Sequence, residues 1–188
     1  MPRVAEITQR DQVSEDQRHH YDAIMSSRNN RPRPYSFLLH CPDLAARTAH
    51  LVGYSLHTSD FPKQQKELAI CAVAREFDCP YAWASHERDA RNAGVREEAI
   101  LSIRDRKTPQ GLTEEEAQIV RYVQELLRPP HHISDSTFRA LQNRLGDVRI
   151  VELTGIIGAY IALACSLNAL EVPVAEGRPV LPVETPRG

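Results

Sequence analysis

The chain has 188 residues, of which 41% are apolar and 26% are charged, and its net charge is -2 at pH 7. That length suits a single domain with a sizeable apolar core. The balanced charge gives no support to the clustered basic surface of a nucleic-acid-binding protein, and no Lys/Arg-rich amphipathic helix suggests a membrane-surface protein.

The cysteines indicate a reducing compartment. Cys41, Cys71, Cys79 and Cys165 are irregularly spaced, and the N-terminal residues do not resemble a signal peptide. We therefore expect a cytoplasmic protein with reduced thiols and no disulfide framework. No second Cys or His lies at zinc-ligand spacing from any of the four, so we expect no metal.

Helical spacing of apolar residues recurs along the chain, whereas strand-like alternation is scarce, which predicts an all-α fold of about eight helices. Proline and capping residues mark most of the predicted starts. In chain order the predicted helices span 14–27, 42–58, 62–77, 80–94, 96–104, 113–128, 134–145 and 148–170. Four prolines predict an extended tail over 171–188.

The stretch 153–170 carries no charge and approaches the length of a membrane-spanning helix. It contains several polar and glycine positions, and Glu152 and Glu171 flank it directly. A buried core helix or a subunit-interface helix is therefore the favoured interpretation.

The segment from Glu67 to His86 carries the chemistry that the sequence suggests. If Pro80 is the first helical residue, Cys79 lies at the helix start and shares a face with Trp83 and His86. The N–H groups of a helix start favour a thiolate, and His86 could exchange protons with it or with a substrate. Glu67, on the preceding helix, could meet His86 if the two helices form an antiparallel hairpin.

Taken singly, each of these residues has a plainer interpretation. Cys79 could be a small buried hydrophobic residue, and Trp83 a core or interface residue. His86 could be structural, and Glu67 could be exposed because polar residues precede it. Only their joint spacing favours a functional site.

That spacing carries a resemblance to a known family. Cys79 follows Glu67 by twelve positions, His86 follows Cys79 by seven, and Ala90 and Gly94 come next. This order resembles the carboxymuconolactone decarboxylase family, which belongs with the alkyl-hydroperoxidase D-type proteins. The resemblance implies one helical-bundle domain over 1–188, with a core at about 35–105, a second helical half at about 113–170, and a hairpin carrying the site.

The sequence departs from that family at position 82. The peroxidase branch has a second cysteine there, and the decarboxylase branch typically has a glutamate, whereas this chain has Ala82. Alanine can neither resolve a sulfenic acid nor transfer a proton, which excludes a two-cysteine cycle through Cys79 and position 82. The match at Glu67, Trp83 and His86 favours the decarboxylase branch.

The resemblance implies a cofactor-free lyase of aromatic-compound catabolism that acts on a small carboxylated, lactone-type substrate. His86, Glu67 and Cys79 would form the catalytic group, with Tyr81 and Trp83 lining the substrate pocket. A homo-oligomer, a trimer or hexamer, is expected. Two alternatives stay open: a thiol-dependent peroxidase that uses Cys79 and an external resolving thiol, and a non-catalytic binding or assembly protein.

Two further histidines lie seven positions apart on one predicted helix. His50 and His57 therefore share a face and could approach a pocket, although an ordinary surface or interface role is the commoner outcome. The adjacent pair His131 and His132 follows two prolines in a loop and is weak evidence for a metal.

Overall fold

The computed structural model describes residues 1–183, which form helices, turns and loops without a β-strand. The predicted all-α fold is confirmed. Residues 1–183 contain seven α-helices, the last of which is interrupted at Gly146, where φ is 75° and ψ is 169°. Their bounds are α1 Arg18–Ser27, α2 Pro42–Gly53, α3 Lys63–Glu76, α4 Pro80–Asn92, α5 Glu97–Arg104, α6 Glu114–Leu127 and α7 Asp135–Ala169.

Local sequence signals account for most of the helix boundaries. Pro42 and Pro80 occupy the first turns of α2 and α4, where a missing N–H costs no hydrogen bond. Gly94 lies just after the end of α4 and has a φ of 87°, which a residue with a side chain rarely adopts. Thr113 and Glu116 form the predicted capping box, in which each side chain accepts from the other's backbone N–H.

The predicted start of the first helix is wrong. Ser14 makes no side-chain capping hydrogen bond, and a 3₁₀ turn, Glu15–Gln17, comes before α1. Without that cap, the unsatisfied N–H groups are met by a tighter turn, and regular α-helix begins only at Arg18.

The described chain divides into two compact units. The first comprises residues 1–59 with 165–173, and the second comprises residues 60–164 with the described part of the tail from 174. In the first unit α1 packs on α2, and α2 continues into a π-helical turn, Tyr54–Thr58. Its core is built from side chains such as Tyr21, Ile24, Tyr35, Phe37, Leu39 and Val52.

The second unit is built around α3, whose residues 66–75 are all buried. Helices α4, α5 and α6 pack against it. This position follows from the sequence, since after Glu67 the helix carries small and apolar side chains on every face as far as Arg75. Fully buried Trp83, Ile100 and Ile119 complete the packing, and burial stabilises each by about 1.5–3 kcal/mol.

Helix α7 is the one helix in the described part of the chain whose length and apolarity would allow it to cross a membrane. Half of its most apolar window is buried within the structure. Leu153, Ile157 and Tyr160 are buried, whereas Val148 and Val151 are exposed. Residues 171–183 contain no helix, as predicted for the tail, and the remainder of the predicted extended tail lies outside the described residues.

Candidate active site on the α3–α4 hairpin

Helices α3 and α4 form the antiparallel hairpin that the motif requires. The chain reverses over residues 77–79, where Asp78 adopts a φ of 45°. The Cys79 N–H donates to the Ala74 carbonyl over 2.8 Å, which closes the end of α3. Pro80 then begins α4, with Cys79 as its N-cap residue. The short turn sets the register that decides which residues of the two helices face each other.

Glu67 and His86 meet across this hairpin. The Glu67 Oε2 atom lies 2.8 Å from Nδ1 of His86, within hydrogen-bond distance. Glu67 is 2% exposed and His86 is 7% exposed, so the pair lies inside the second unit rather than on its surface. The interpretation of Glu67 as an exposed residue is therefore wrong, and the contact that a hairpin would allow is present.

The pair has a defined chemical capacity. An ionised carboxylate only accepts hydrogen bonds, so Nδ1 carries a proton and the second ring nitrogen, Nε2, is left able to accept one. A carboxylate at this position also stabilises the imidazolium that forms when Nε2 takes up a proton. The contact thus fixes the orientation of the His86 ring and leaves Nε2 with the capacity to exchange a proton.

Tyr160 is a third residue of this site, contributed by α7. Its ring lies edge-to-face with the His86 imidazole, with centroids 4.8 Å apart and an interplanar angle of 90°. The Tyr160 side chain is 2% exposed, so it limits the ring positions open to His86. Sequence reasoning did not find this role, because Tyr160 stands in an apolar helix where an aromatic residue resembles any other core residue.

Trp83 and Tyr81, the predicted pocket-lining residues, lie in different environments on α4. Trp83 is completely buried, and its Nε1 has no hydrogen-bond partner among the described residues. Tyr81 is half-buried. Trp83 therefore packs in the protein interior near the hairpin, whereas Tyr81 keeps access to solvent.

The thiols near the hairpin are buried. Cys79 is at the helix start as predicted, yet its side chain is 0% exposed. Cys71 is also buried, and burial followed by the charge of Glu67 raises the pKa of its thiol well above the ordinary value. Ala82 is 5% exposed beside them. A peroxide or an external thiol has no open route to the sulfur of Cys79 in this conformation, which disfavours thiol chemistry.

A second buried carboxylate, Glu87, follows His86 directly. The Glu87 side chain is 4% exposed. Its Oε1 atom lies 2.6 Å from a guanidinium nitrogen of Arg91, and its Oε2 atom has no hydrogen-bond partner among residues 1–183. In the sequence, the four-residue spacing of Glu87 and Arg91 is typical of an ion pair on an exposed helix surface. The burial of Glu87 could therefore not be predicted from this spacing. No group of three or more His, Cys, Asp or Glu side chains in that range could hold a metal ion.

Comparisons with known proteins agree with this fold and motif. The model of the carboxymuconolactone decarboxylase family matches residues 42–125, a segment that contains α3 and α4. Among solved structures, a cysteine-to-alanine variant of the debrominase Bmp8 in complex with 2,3,4-tribromopyrrole is similar, with a TM-score of 0.71 and 15% sequence identity. The alignment covers 94% of this chain and 95% of that chain, and at this identity it shows a common fold. No curated protein matches the sequence. The resemblance is confirmed over residues 42–125, the segment that the model of the carboxymuconolactone decarboxylase family matches.

Proposed function

We propose that the protein is a cofactor-independent lyase that decarboxylates a small carboxylated, lactone-type substrate by acid/base catalysis. The buried hydrogen bond between Glu67 and His86 carries this proposal. The match of the carboxymuconolactone decarboxylase family model to residues 42–125, which contain the hairpin, supports the reaction class. A surface histidine would exchange protons with water, whereas an imidazole oriented by a buried carboxylate can direct a proton at a chosen atom.

In the proposed reaction, the bond between the substrate carbon and its carboxylate breaks and carbon dioxide leaves. The electron pair of that bond moves into the conjugated lactone, and the proton on Nε2 of His86 is delivered to the carbon that ends the conjugated system. One proton is consumed per carbon dioxide released, and solvent restores it. No electrons are exchanged with another reagent, so the proposal assigns no cofactor. Tyr81 and Trp83 are proposed as walls of the pocket.

The test is release of carbon dioxide from a carboxymuconolactone by the purified protein. We expect His86→Ala to lower kcat by roughly 10²–10⁴. Glu67→Gln keeps an acceptor for Nδ1 but loses the charge that stabilises the imidazolium, so it should lower kcat less than His86→Ala does. His132→Ala, which removes an exposed histidine in a loop, is the matched control and should leave the rate unchanged. Equal rates for the wild type and His86→Ala would contradict the proposal.

Thiol chemistry at Cys79 is the second candidate, because the residue occupies the N-cap position of α4, and N–H groups at a helix start favour a thiolate. The thiolate would attack a hydroperoxide oxygen, releasing an alcohol and leaving a sulfenic acid that an external thiol reduces. This candidate also requires a motion that exposes the buried sulfur. Hydroperoxide consumption with an added thiol, lost in Cys79→Ser and kept in His86→Ala, would replace the acid/base proposal. Absence of both activities would favour the non-catalytic alternative.

A further inference from the structure

The first unit contains a cavity of about 460 Å³ that none of the residues of the Glu67–His86 site lines. Helices α1 and α2 and the π-helical turn, Tyr54–Thr58, form its walls. The volume falls within the range of small-molecule sites. A π-helical turn at the end of an α-helix is itself a feature that recurs at functional sites.

Arg28 supplies a positive charge to this cavity without a counter-charge. One guanidinium nitrogen donates to the Tyr35 hydroxyl over 3.1 Å and to the Ala49 carbonyl over 2.8 Å, and the group stacks over the Tyr35 ring at 4.7 Å. Its Nε atom is buried and has no hydrogen-bond partner among residues 1–183. No carboxylate in that range forms an ion pair with it, and the cavity lining contains no Asp or Glu.

A half-buried, unpaired guanidinium carries an energetic cost that a ligand can relieve. Desolvating a charge is unfavourable unless hydrogen bonds or an opposite charge compensate for it. The contacts with Tyr35 and Ala49 hold the guanidinium in one orientation, while its Nε–H has no acceptor among residues 1–183. The planar arrangement of those donors matches a carboxylate, which Arg binds in a bidentate manner.

His50 and His57, which the sequence placed on one helix face, both line this cavity. Each ring can donate at least one N–H hydrogen bond whatever its protonation state. Ile24, Ala46 and Ala49 supply apolar wall between the polar groups. The cavity therefore combines a fixed cation, two further donors and an apolar surface, which is the composition of a site for a small amphipathic anion.

We propose that this cavity binds a small organic carboxylate with a flat apolar body, held by Arg28 through its carboxylate group. The histidines donate to the remaining oxygens or to a polar substituent, and the alanine wall contacts the apolar body. The cavity lining shares no residue with the proposed decarboxylation site, and the test measures binding alone. Failure of either proposal therefore leaves the other untouched.

Calorimetric titration of the full chain with benzoate tests the proposal, and neutral benzamide serves as the ligand control. We expect saturable binding of benzoate, with an affinity at least about tenfold above that of benzamide. Arg28→Met should weaken benzoate binding about tenfold or more. Arg31→Met removes an exposed arginine that does not line the cavity, and it should change the affinity by less than about twofold.

Because Arg28 also holds Tyr35 and Ala49, its replacement could unfold the first unit. Ala46→Leu provides a second variant, since it adds side-chain volume to the cavity and leaves Arg28 in place. It should abolish binding with an unchanged circular dichroism spectrum. Three results would overturn the proposal: no saturable binding of benzoate, equal affinities for benzoate and benzamide, or full affinity in folded Ala46→Leu. A fourth result would also overturn the proposal: a concentration-dependent dimer that binds no benzoate and that Ala46→Leu dissociates. A second copy of the chain would then occupy the cavity.

Discussion

The coupling between Glu67 and His86 gives the sharpest test of the site geometry. The Glu67 Oε2 and His86 Nδ1 atoms are 2.8 Å apart, and both side chains are nearly excluded from water. Replacing either residue by an apolar one therefore leaves the other with an unsatisfied buried polar group. Glu67→Met leaves the Nδ1–H donor of His86 unpaired, at a cost of about 1–3 kcal/mol. His86→Leu leaves a buried carboxylate unpaired, which costs about 3–5 kcal/mol.

The double variant removes both polar groups and replaces them with apolar side chains of similar volume. Such a replacement is nearly neutral in many buried pairs, so the loss in the double variant should be smaller than the sum of the two single losses. We expect a coupling free energy of about 2 kcal/mol or more from the complete double-mutant cycle. An exposed ion pair would show less than about 1 kcal/mol.

Urea denaturation followed by tryptophan fluorescence measures these free energies directly. Trp83 is the single tryptophan of the chain and is completely buried in the same unit, so its emission reports on the unit that holds the pair. Glu98→Gln is the control, because Glu98 is exposed and lies 3.7 Å from Arg96. It should change the free energy of unfolding by less than about 0.5 kcal/mol. Additivity of the two single losses within about 0.5 kcal/mol would refute the buried contact.

Two further predictions concern the thiols and the break in α7. Iodoacetamide should alkylate exposed Cys41 in the folded protein and spare buried Cys71. Burial and the charge of Glu67 raise the pKa of the Cys71 thiol, which keeps it protonated at a pH where an ordinary thiol ionises. Mass spectrometry before and after urea treatment measures the labelling, and equal labelling of both cysteines in the folded protein would contradict the prediction. Gly146→Ala should lower the free energy of unfolding by about 1–3 kcal/mol through backbone strain alone. The φ of Gly146 is 75°, and beyond its own backbone and chain neighbours nothing lies within 4 Å of the added Cβ. A urea titration that shows no loss of stability would contradict this prediction.

Much of the site's framework could be predicted from local signals. Pro80 and Gly94 delimit α4, and Pro42 begins α2, because these residues act on their own backbone turn whatever surrounds them. The spacing of Cys79 and His86 on one helix face follows from the helical repeat. The start of α1 was misplaced, because a serine favours a helix start only when its side chain makes the capping hydrogen bond.

Burial could not be predicted in the same way. Glu67 follows a run of polar residues, and Arg91 follows Glu87 by four positions, so both glutamates resemble surface residues in the sequence. Both are buried, because α3 lies at the centre of its unit and α4 packs along it. Polarity of the neighbouring residues describes one helix, whereas burial depends on the helices that surround it.

The sequence by itself determined the helices, the hairpin motif and the family resemblance, since each of these depends on residues within a few turns of one another. Only the tertiary structure decided that Glu67 and His86 share a hydrogen bond, that Tyr160 packs on the imidazole, and that Arg28 faces a cavity with no acidic partner. The physical reason is the range of the interactions. Backbone propensities act between neighbours in the chain, whereas ring contacts and the desolvation of a charge depend on residues that only folding brings together.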